Sequence, residues 1–327
     1  MTQAVTLASI ANSGYARNRI INGNMVIDQR NAGAAVTVNT GNQAFTVDRF
    51  YGQAQGGGAF TLQQSSTAPE GFINSIIATV TTADTSLAAT DFYVIKQRIE
   101  GLNVADLNWG TANAKTVTLS FWVRSSISGA YTGALLNSAE NRAYPFSYTI
   151  NSTNTFEYKT ITIAGDTTGT WLSNSGVGIA LGFALGAGST YLGTAGVWAA
   201  SRFEAATGQT QWISTNGATF YLTGAQFEVG TQATPYEWQG YPQQLVACQR
   251  YYSVATTRFR SDPFPSGTFG VTGSFPVIMR ASPTVTTTTN LGTLGTTIVN
   301  DSSSCFFEFT GSTFGNVGVT YRASAEL

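Results

Sequence analysis

The stretch "KTVTLSFWVRS", residues 115–125, alternates apolar and polar side chains with a two-residue period. Successive side chains of a β-strand point to opposite faces, so this alternation predicts a strand with one face in a core. The predicted inward side chains are Val117, Leu119, Phe121 and Val123. The predicted outward side chains are Thr118, Ser120, Trp122 and Arg124.

Strand-like segments recur along the chain, for example "AFTLQQ", "DFYVIKQRIE", "VGIALGFAL" and "ATFYLTGAQFEV", with clusters of Gly, Asn, Ser and Thr between them. Helical patterns are scarce: residues 104–110 allow one turn, and "PQQLVACQRYY", residues 242–252, begins with Pro and has apolar residues at helical spacing. Many short strands separated by turn residues indicate an all-β protein, an antiparallel jelly-roll β-sandwich rather than a βα fold.

A domain boundary is predicted at "GTQATPYEWQGYP", residues 230–242, which holds two prolines and two glycines. The composition of the sequence changes after this segment. We therefore expect a jelly roll over residues 20–242 and a smaller C-terminal β-sandwich-like domain over residues 243–327. Residues 1–19 are too few to form a core, and they are predicted to be a docking arm.

Composition excludes several classes of function. Charged residues make up 10% of the 327 residues and the net charge is −1, which argues against a protein that binds nucleic acid by neutralising phosphates. No run of apolar residues is long enough to cross a membrane, so membrane insertion is not expected. We expect the two cysteines, Cys248 and Cys305, to be free thiols; a single disulfide between them is the alternative.

The chain contains no histidine. This excludes Ser-His-Asp and Cys-His catalysis and most zinc sites. Carboxylate chemistry is left open, because a glycosidase requires two carboxyl groups and the chain has 17 Asp and Glu residues. The glycine-rich segments at 52–60 and 181–193 lack the lysine and the strand-turn-helix context of a phosphate-binding loop.

Several segments resemble a widespread family of bacteriophage tail-fibre and virion-appendage proteins. They are "INGNMVIDQRNAG" (21–33), "FTVDRFYG" (45–52), "GAQFEVGTQATPYEW" (224–238), "LVACQRYY" (245–252), "FPVIMRASPTV" (275–285) and the terminal "ASAEL". The resemblance implies a jelly roll similar to carbohydrate-binding modules, followed by a small C-terminal β domain. It also implies a homotrimer and a location in the virion.

The first of these segments predicts a turn at Asn22–Asn24 and an initial strand that includes Met25 and Asp28. Carbohydrate-binding jelly rolls often hold a structural calcium near their first and last strands. The resemblance thus makes Asn24, Asp28 and Glu228 candidate oxygen ligands for Ca²⁺. The alternative is that the carboxylates near residue 28 form structural ion pairs. No other cofactor is expected.

Sugar recognition would use aromatic faces together with planar polar side chains. The predicted outward position of Trp122 and Arg124 makes them the first candidates. The remaining candidates lie in loop-like sequence, and they are Trp109, Trp171, Trp198 and Trp212. The alternative for each tryptophan is packing against a neighbouring domain or protomer.

The function predicted from the sequence is that of a non-catalytic structural appendage of a bacteriophage, a tail or head fibre that contacts host surface glycans. Its expected partners are copies of itself, other virion proteins bound through the N-terminal arm, and host polysaccharide. The alternatives are a purely architectural decoration protein and a carboxylate-based polysaccharide depolymerase.

Overall fold

A computed structural model describes residues 16–260, 268–291, 293–299, 301–310 and 316–327. Internal contacts divide the chain into two compact units, one ending at Trp238 and the other beginning at Gln239. No helix among the described residues is long and apolar enough to cross a membrane.

The first unit is a sandwich of two six-stranded antiparallel sheets. The front sheet has the order β1 (Val36–Val38), β4 (Ala59–Ser65), β5 (Ser75–Thr82), β14 (Thr219–Val229), β7 (Val117–Ser125) and β10 (Glu157–Ile163). The back sheet has the order β2 (Gln43–Phe45), β3 (Tyr51–Gln55), β6 (Phe92–Glu100), β11 (Val177–Ala187), β8 (Gly129–Leu136) and β9 (Ala143–Ile150). The predicted all-β jelly-roll class is confirmed.

Aromatic and aliphatic side chains from both sheets meet in the core. Phe121 of β7 packs edge-to-face on Phe183 of β11, with ring centroids 5.0 Å apart. The four side chains predicted to point inward from residues 115–125 are fully buried, while Trp122 and Arg124 are partly exposed on the outer face. The two-residue period therefore predicted the orientation of this strand correctly.

Short elements complete the sandwich. Residues 188–206, here called the covering segment, lie on the outer face of the back sheet and include the parallel pair β12 (Leu192–Gly193) and β13 (Ala205–Ala206). Single 3-10 turns occur at Gly101–Asn103, Ala105–Leu107, Ser189–Tyr191 and Trp212–Ser214.

The segment before β1 differs from its prediction in two ways. The turn at residues 22–24 is present, but residues 25–28 form no strand: Met25 has a φ of +60° and closes a turn on the carbonyl of Asn22. Asn18 and Arg19 are buried, and the backbone N–H of Arg19 donates to the carbonyl of Phe227 on β14. The predicted docking arm thus extends too far, since its last residues belong to the sandwich; residues 1–15 lie outside the described residues.

The second unit begins with helix α1 (Tyr241–Gln249), close to the predicted helical stretch. Its strands are β15 (Tyr252–Arg260), β16 (Thr268–Ser274), β17 (Thr284–Leu291), β18 (Thr293–Val299), β19 (Ser304–Thr310) and β20 (Asn316–Ser324). They form two three-stranded sheets, β15-β20-β17 and β16-β19-β18. Phe307 and Tyr321 pack in the core of this unit. Cys248 and Cys305 are buried and form no disulfide, as predicted.

Candidate functional site

A glycine creates the floor of a groove on the outer face of the front sheet. The pairing of β14 with β7 shifts register between Thr223 and Gln226, and Gly224 within this bulge has a φ of +60°. A Cβ on Gly224 would lie 2.8 Å from a ring carbon of Phe72 and 2.9 Å from Cδ1 of Trp122. Only glycine therefore lets both rings approach the strand at this point.

Aromatic side chains form the two walls of this aromatic groove. Trp122 on β7 and Tyr158 on β10 are register partners, with ring centroids 5.3 Å apart. On the opposite side, Phe72 packs against Tyr236 and Trp238 with centroids 5.2 and 4.9 Å away. Tyr158 is 43% exposed and Trp238 is 55% exposed, so both walls present ring surface to solvent.

The groove is open and has a volume of about 650 Å³. Its polar lining includes Ser120 and Thr234, and Glu70 is the single carboxylate among the described lining residues. Flat apolar faces beside hydroxyl groups suit an amphipathic ligand whose apolar faces stack on rings and whose hydroxyls reach polar atoms. This lining does not suit a phosphate or a metal ion.

The wall after β14 is held in place by hydrogen bonds from that strand. Glu228 accepts from the backbone N–H and the hydroxyl of Thr234, at 2.9 and 2.6 Å. The side-chain oxygen of Gln226 accepts from the N–H of Glu237 at 2.7 Å. The buried carboxylate and amide therefore position the segment that carries Tyr236 and Trp238.

Tyr236 is anchored at its hydroxyl. Burial raises the pKa of Tyr236 well above its ordinary value, the charge of Glu237 raises it further, and the hydrogen bond from the N–H of Asn24 lowers it in part. The phenol consequently stays neutral at physiological pH and acts as a fixed packing element under Phe72. The wall is rigid because each of its aromatic residues contacts another.

Arg124 lies two residues beyond Trp122 on the same face of β7. Its guanidinium carbon is 5.0 Å from the ring centroid of Tyr221 on β14 and 5.8 Å from that of Phe156. The sequence placed Trp122 and Arg124 on one face, and the structure agrees.

The other predicted tryptophans are elsewhere. Trp109, Trp171 and Trp198 form a mutual edge-to-face cluster with centroids 4.9 to 5.4 Å apart, and each indole N–H donates to a backbone carbonyl. Trp109 is buried in the core, while Trp171 and Trp109 line a separate pocket of about 200 Å³. The structure does not bring this cluster together with Trp122.

The prediction that Trp212 contacts a ligand is wrong. Trp212 is fully buried and packs edge-on against Phe60 of β4, with centroids 6.1 Å apart. Its loop-like sequence forms a 3-10 turn that inserts the indole into the sandwich core.

Two of the three predicted calcium ligands already have hydrogen-bond partners within the protein. Asp28 accepts from the backbone N–H groups of Asn31 and Gly33, and Glu228 is occupied by Thr234. Oδ1 of Asn24 is buried without a hydrogen-bond partner. In the described part of the chain no group of three His, Cys, Asp or Glu side chains could hold a metal ion. The set with Asn24 contains only two such side chains and stays a prediction.

Sequence reasoning missed four groove residues, Phe72, Tyr158, Tyr236 and Trp238. The sequence does contain a signal for Tyr158, because this residue alternates with the inward residues of "TFEYKTITIA". Phe72, Tyr236 and Trp238 lie in loops. The last two belong to "PYEW", which is part of the predicted domain boundary. These loops lie close to β7 because of strand pairing between distant parts of the chain, and no local pattern in the sequence predicts that pairing.

The fold and the site together define a β-sandwich protein with an open aromatic groove on one sheet. No family model matches the chain, and no curated protein matches it. Among solved structures, it is similar to the enzymatically active domain of tailspike protein 4 of bacteriophage CBA120, at 11% identity and a TM-score of 0.34. That match covers 65% of this chain but only 21% of the tailspike chain.

Two carbohydrate-binding modules are also similar. A CBM4 structure matches at 16% identity and a TM-score of 0.31, over 64% of this chain and 98% of that one. The family 11 carbohydrate-binding module from Clostridium thermocellum, solved with a β-1,3-1,4-mixed-linked tetrasaccharide, matches at 11% identity and a TM-score of 0.30, over 60% and 94%.

Proposed function

We propose that the aromatic groove binds a glycan chain. The observation that carries the proposal is the pair of ring-lined walls, Trp122 with Tyr158 facing Phe72 with Trp238, above a floor kept open by Gly224. Pyranose rings present C–H faces that pack on aromatic rings, while hydroxyl groups can bond to Ser120 and Thr234.

The lining of the groove favours binding of a glycan without its hydrolysis. Glycoside hydrolysis requires two carboxyl groups on opposite sides of the scissile bond, about 5 to 9.5 Å apart. Glu70 is the only carboxylate among the described groove residues. Release of reducing sugar ends from a bound polysaccharide would contradict this and favour a depolymerase.

The test compares glycan affinity and stability in the same variants. A glycan array identifies a ligand, and calorimetric titration then measures its affinity for the wild type, Trp122→Ala and Trp238→Ala. We expect each variant to lose about 1 to 3 kcal/mol of binding, as when an aromatic anchor is truncated. Tyr241→Ala is the matched control, because Tyr241 is 59% exposed but lies outside the groove.

A packing role for Trp122 gives a different result. If a neighbouring protomer covers this face, Trp122→Ala should lower folding or assembly stability by about 3 to 5 kcal/mol and leave sugar affinity unchanged. Thermal melts beside the titrations separate the two roles.

We further propose that the chain acts as a bacteriophage virion appendage, assembled as a trimer and anchored to other virion proteins by residues near its N-terminus. The support is the resemblance of the quoted sequence segments. The purified protein should compete with the phage for adsorption to host cells, and light scattering should give a trimeric mass. Presence in particles without glycan binding would favour an architectural decoration protein.

A further inference from the structure

Arg124 occupies an unusual electrostatic position beside the groove. Among the ion pairs of the described residues, none includes Arg124. The nearest acidic residue on the neighbouring strand, Glu157, is the register partner of the inward-pointing Val123 and binds Lys159 at 2.6 Å. No carboxylate of the described residues therefore pairs with this cation.

The side chain is nevertheless held in place. Its guanidinium makes cation–π contacts with Tyr221 and Phe156, two rings that also pack against each other with centroids 6.0 Å apart. The Nε atom is buried and has no hydrogen-bond partner. A buried donor without an acceptor carries a free-energy cost.

Distance connects this cation to the groove. Two residues along a β-strand span about 7 Å, so the Cα atoms of Arg124 and Trp122 are separated by roughly the length of one sugar ring, with both side chains on the same face. The other charged group near the groove, Glu70, belongs to the loop that carries Phe72, on the opposite wall.

We propose that the ligand of the aromatic groove is an acidic glycan, with a uronate carboxylate on Arg124 and a neighbouring sugar ring stacked on Trp122. This rests on the proposed function. Arginine suits the role because its planar fork donates two parallel hydrogen bonds to a carboxylate. The orientation places the acidic group toward Arg124 and away from Glu70.

The test uses hexamers of galacturonic acid and of mannuronic acid, together with the same hexamers after chemical reduction of their carboxyl groups. For the wild type we expect at least one acidic hexamer to bind about tenfold more tightly than its reduced form, and to weaken as salt is added. Arg124→Gln should remove this difference and leave binding of the reduced form unchanged. Arg124→Lys, which keeps the charge but loses the planar fork, should retain only part of it.

The outcomes distinguish this proposal from the one it rests on. If reduced hexamers bind as well as acidic ones, and Trp122→Ala weakens both, the groove binds glycans but the preference for acidic ones is refuted. If Trp122→Ala has no effect on any hexamer that binds, the groove assignment itself fails. Lack of binding to all four hexamers counts against both proposals. Thermal melts of the Arg124 variants check that the sandwich is intact.

Discussion

The outer face of the back sheet is covered by other residues, whereas the outer face of the front sheet is partly exposed to solvent. On the back sheet, the side chains of Phe92, Val94 and Lys96 point outward from β6 and are buried beneath the covering segment. On the front sheet, Trp122 and Tyr158 point outward and stay partly exposed. The same strand geometry therefore produces a second core on one side and an open groove on the other, and the covering segment makes the difference.

The cations on the two faces show the same contrast. Lys96 is fully buried and its Nζ lies 2.7 Å from Oε1 of Glu204, a carboxylate that Arg202 also contacts at 2.9 Å. Arg124 has aromatic neighbours, and no ion pair among the described residues includes it. The charge of Lys96 is neutralised within the core of the covered face, whereas the charge of Arg124 lies on the open face beside aromatic rings.

The largest effect is expected from breaking the neutralised pair. Lys96→Met should lower the free energy of unfolding by about 3 kcal/mol, because the buried carboxylate of Glu204 loses its one buried cationic partner and keeps only the partly exposed Arg202. Chemical denaturation measures this. Lys115→Met is the control: Lys115 is 44% exposed and 3.9 Å from Asp106, so less than about 1 kcal/mol should be lost. Equal losses in the two variants would show that the covered face is not a second core.

A smaller effect is expected on the open face. Gly224→Ala should cost about 1 to 2 kcal/mol of stability, because a side chain is strained at φ +60° and its Cβ meets two aromatic rings. Glycan affinity should fall at least tenfold as those rings shift. Gly217→Ala is the matched control, since Gly217 also has positive φ, +74°, but has nothing within 4 Å of its Cβ position. Normal affinity in Gly224→Ala would exclude this bulge as the groove floor.

The smallest effect concerns pH, and the group chosen to test it, Glu204, lies on the covered face. Burial raises the pKa of Glu204, but the charges and hydrogen bonds of Lys96 and Arg202 outweigh it, so the net pKa is lowered from 4.5. A lowered folded-state pKa gives stability that is present above pH 4.5 and is lost as the pH falls.

The measurement is the difference in unfolding free energy between the wild type and Glu204→Gln. It should be constant between about pH 7 and 5 and shrink below about pH 4.5. Arg124→Gln should show no such pH dependence, since no carboxylate pairs with Arg124. A difference that stays constant down to pH 3 would contradict the assignment of Glu204 as the charged partner.

Local pattern was sufficient for the sandwich but not for the groove. The alternation in residues 115–125 predicted both the buried side of β7 and the outward position of Trp122, because strand orientation is a property of neighbouring residues. The groove additionally depends on the bulge at Gly224 and on Trp238, which lies more than a hundred residues from Trp122 in sequence. Such contacts follow from strand order, which no period in the sequence encodes.

The errors have physical causes of the same kind. Trp212 lies in polar, turn-rich sequence, yet the nearby end of the sandwich had space for an indole, and burial of a large aromatic side chain outweighs the local preference. Met25 interrupts the predicted first strand because it adopts φ +60° in a turn closed by Asn22. In both cases tertiary packing determined the outcome.

The hydrogen bonds at Glu237 have a mechanical consequence. Its two carboxylate oxygens accept from the backbone N–H groups of Arg17 and Asn18, at 3.2 and 2.6 Å, so one carboxylate joins residues near the two ends of the described sandwich unit. Asn18 also exchanges hydrogen bonds with Ala225 and Phe227 of β14. Tension applied between the chain before residue 17 and the chain after Trp238 is therefore shared between this carboxylate and β14, the strand that carries the bulge at Gly224.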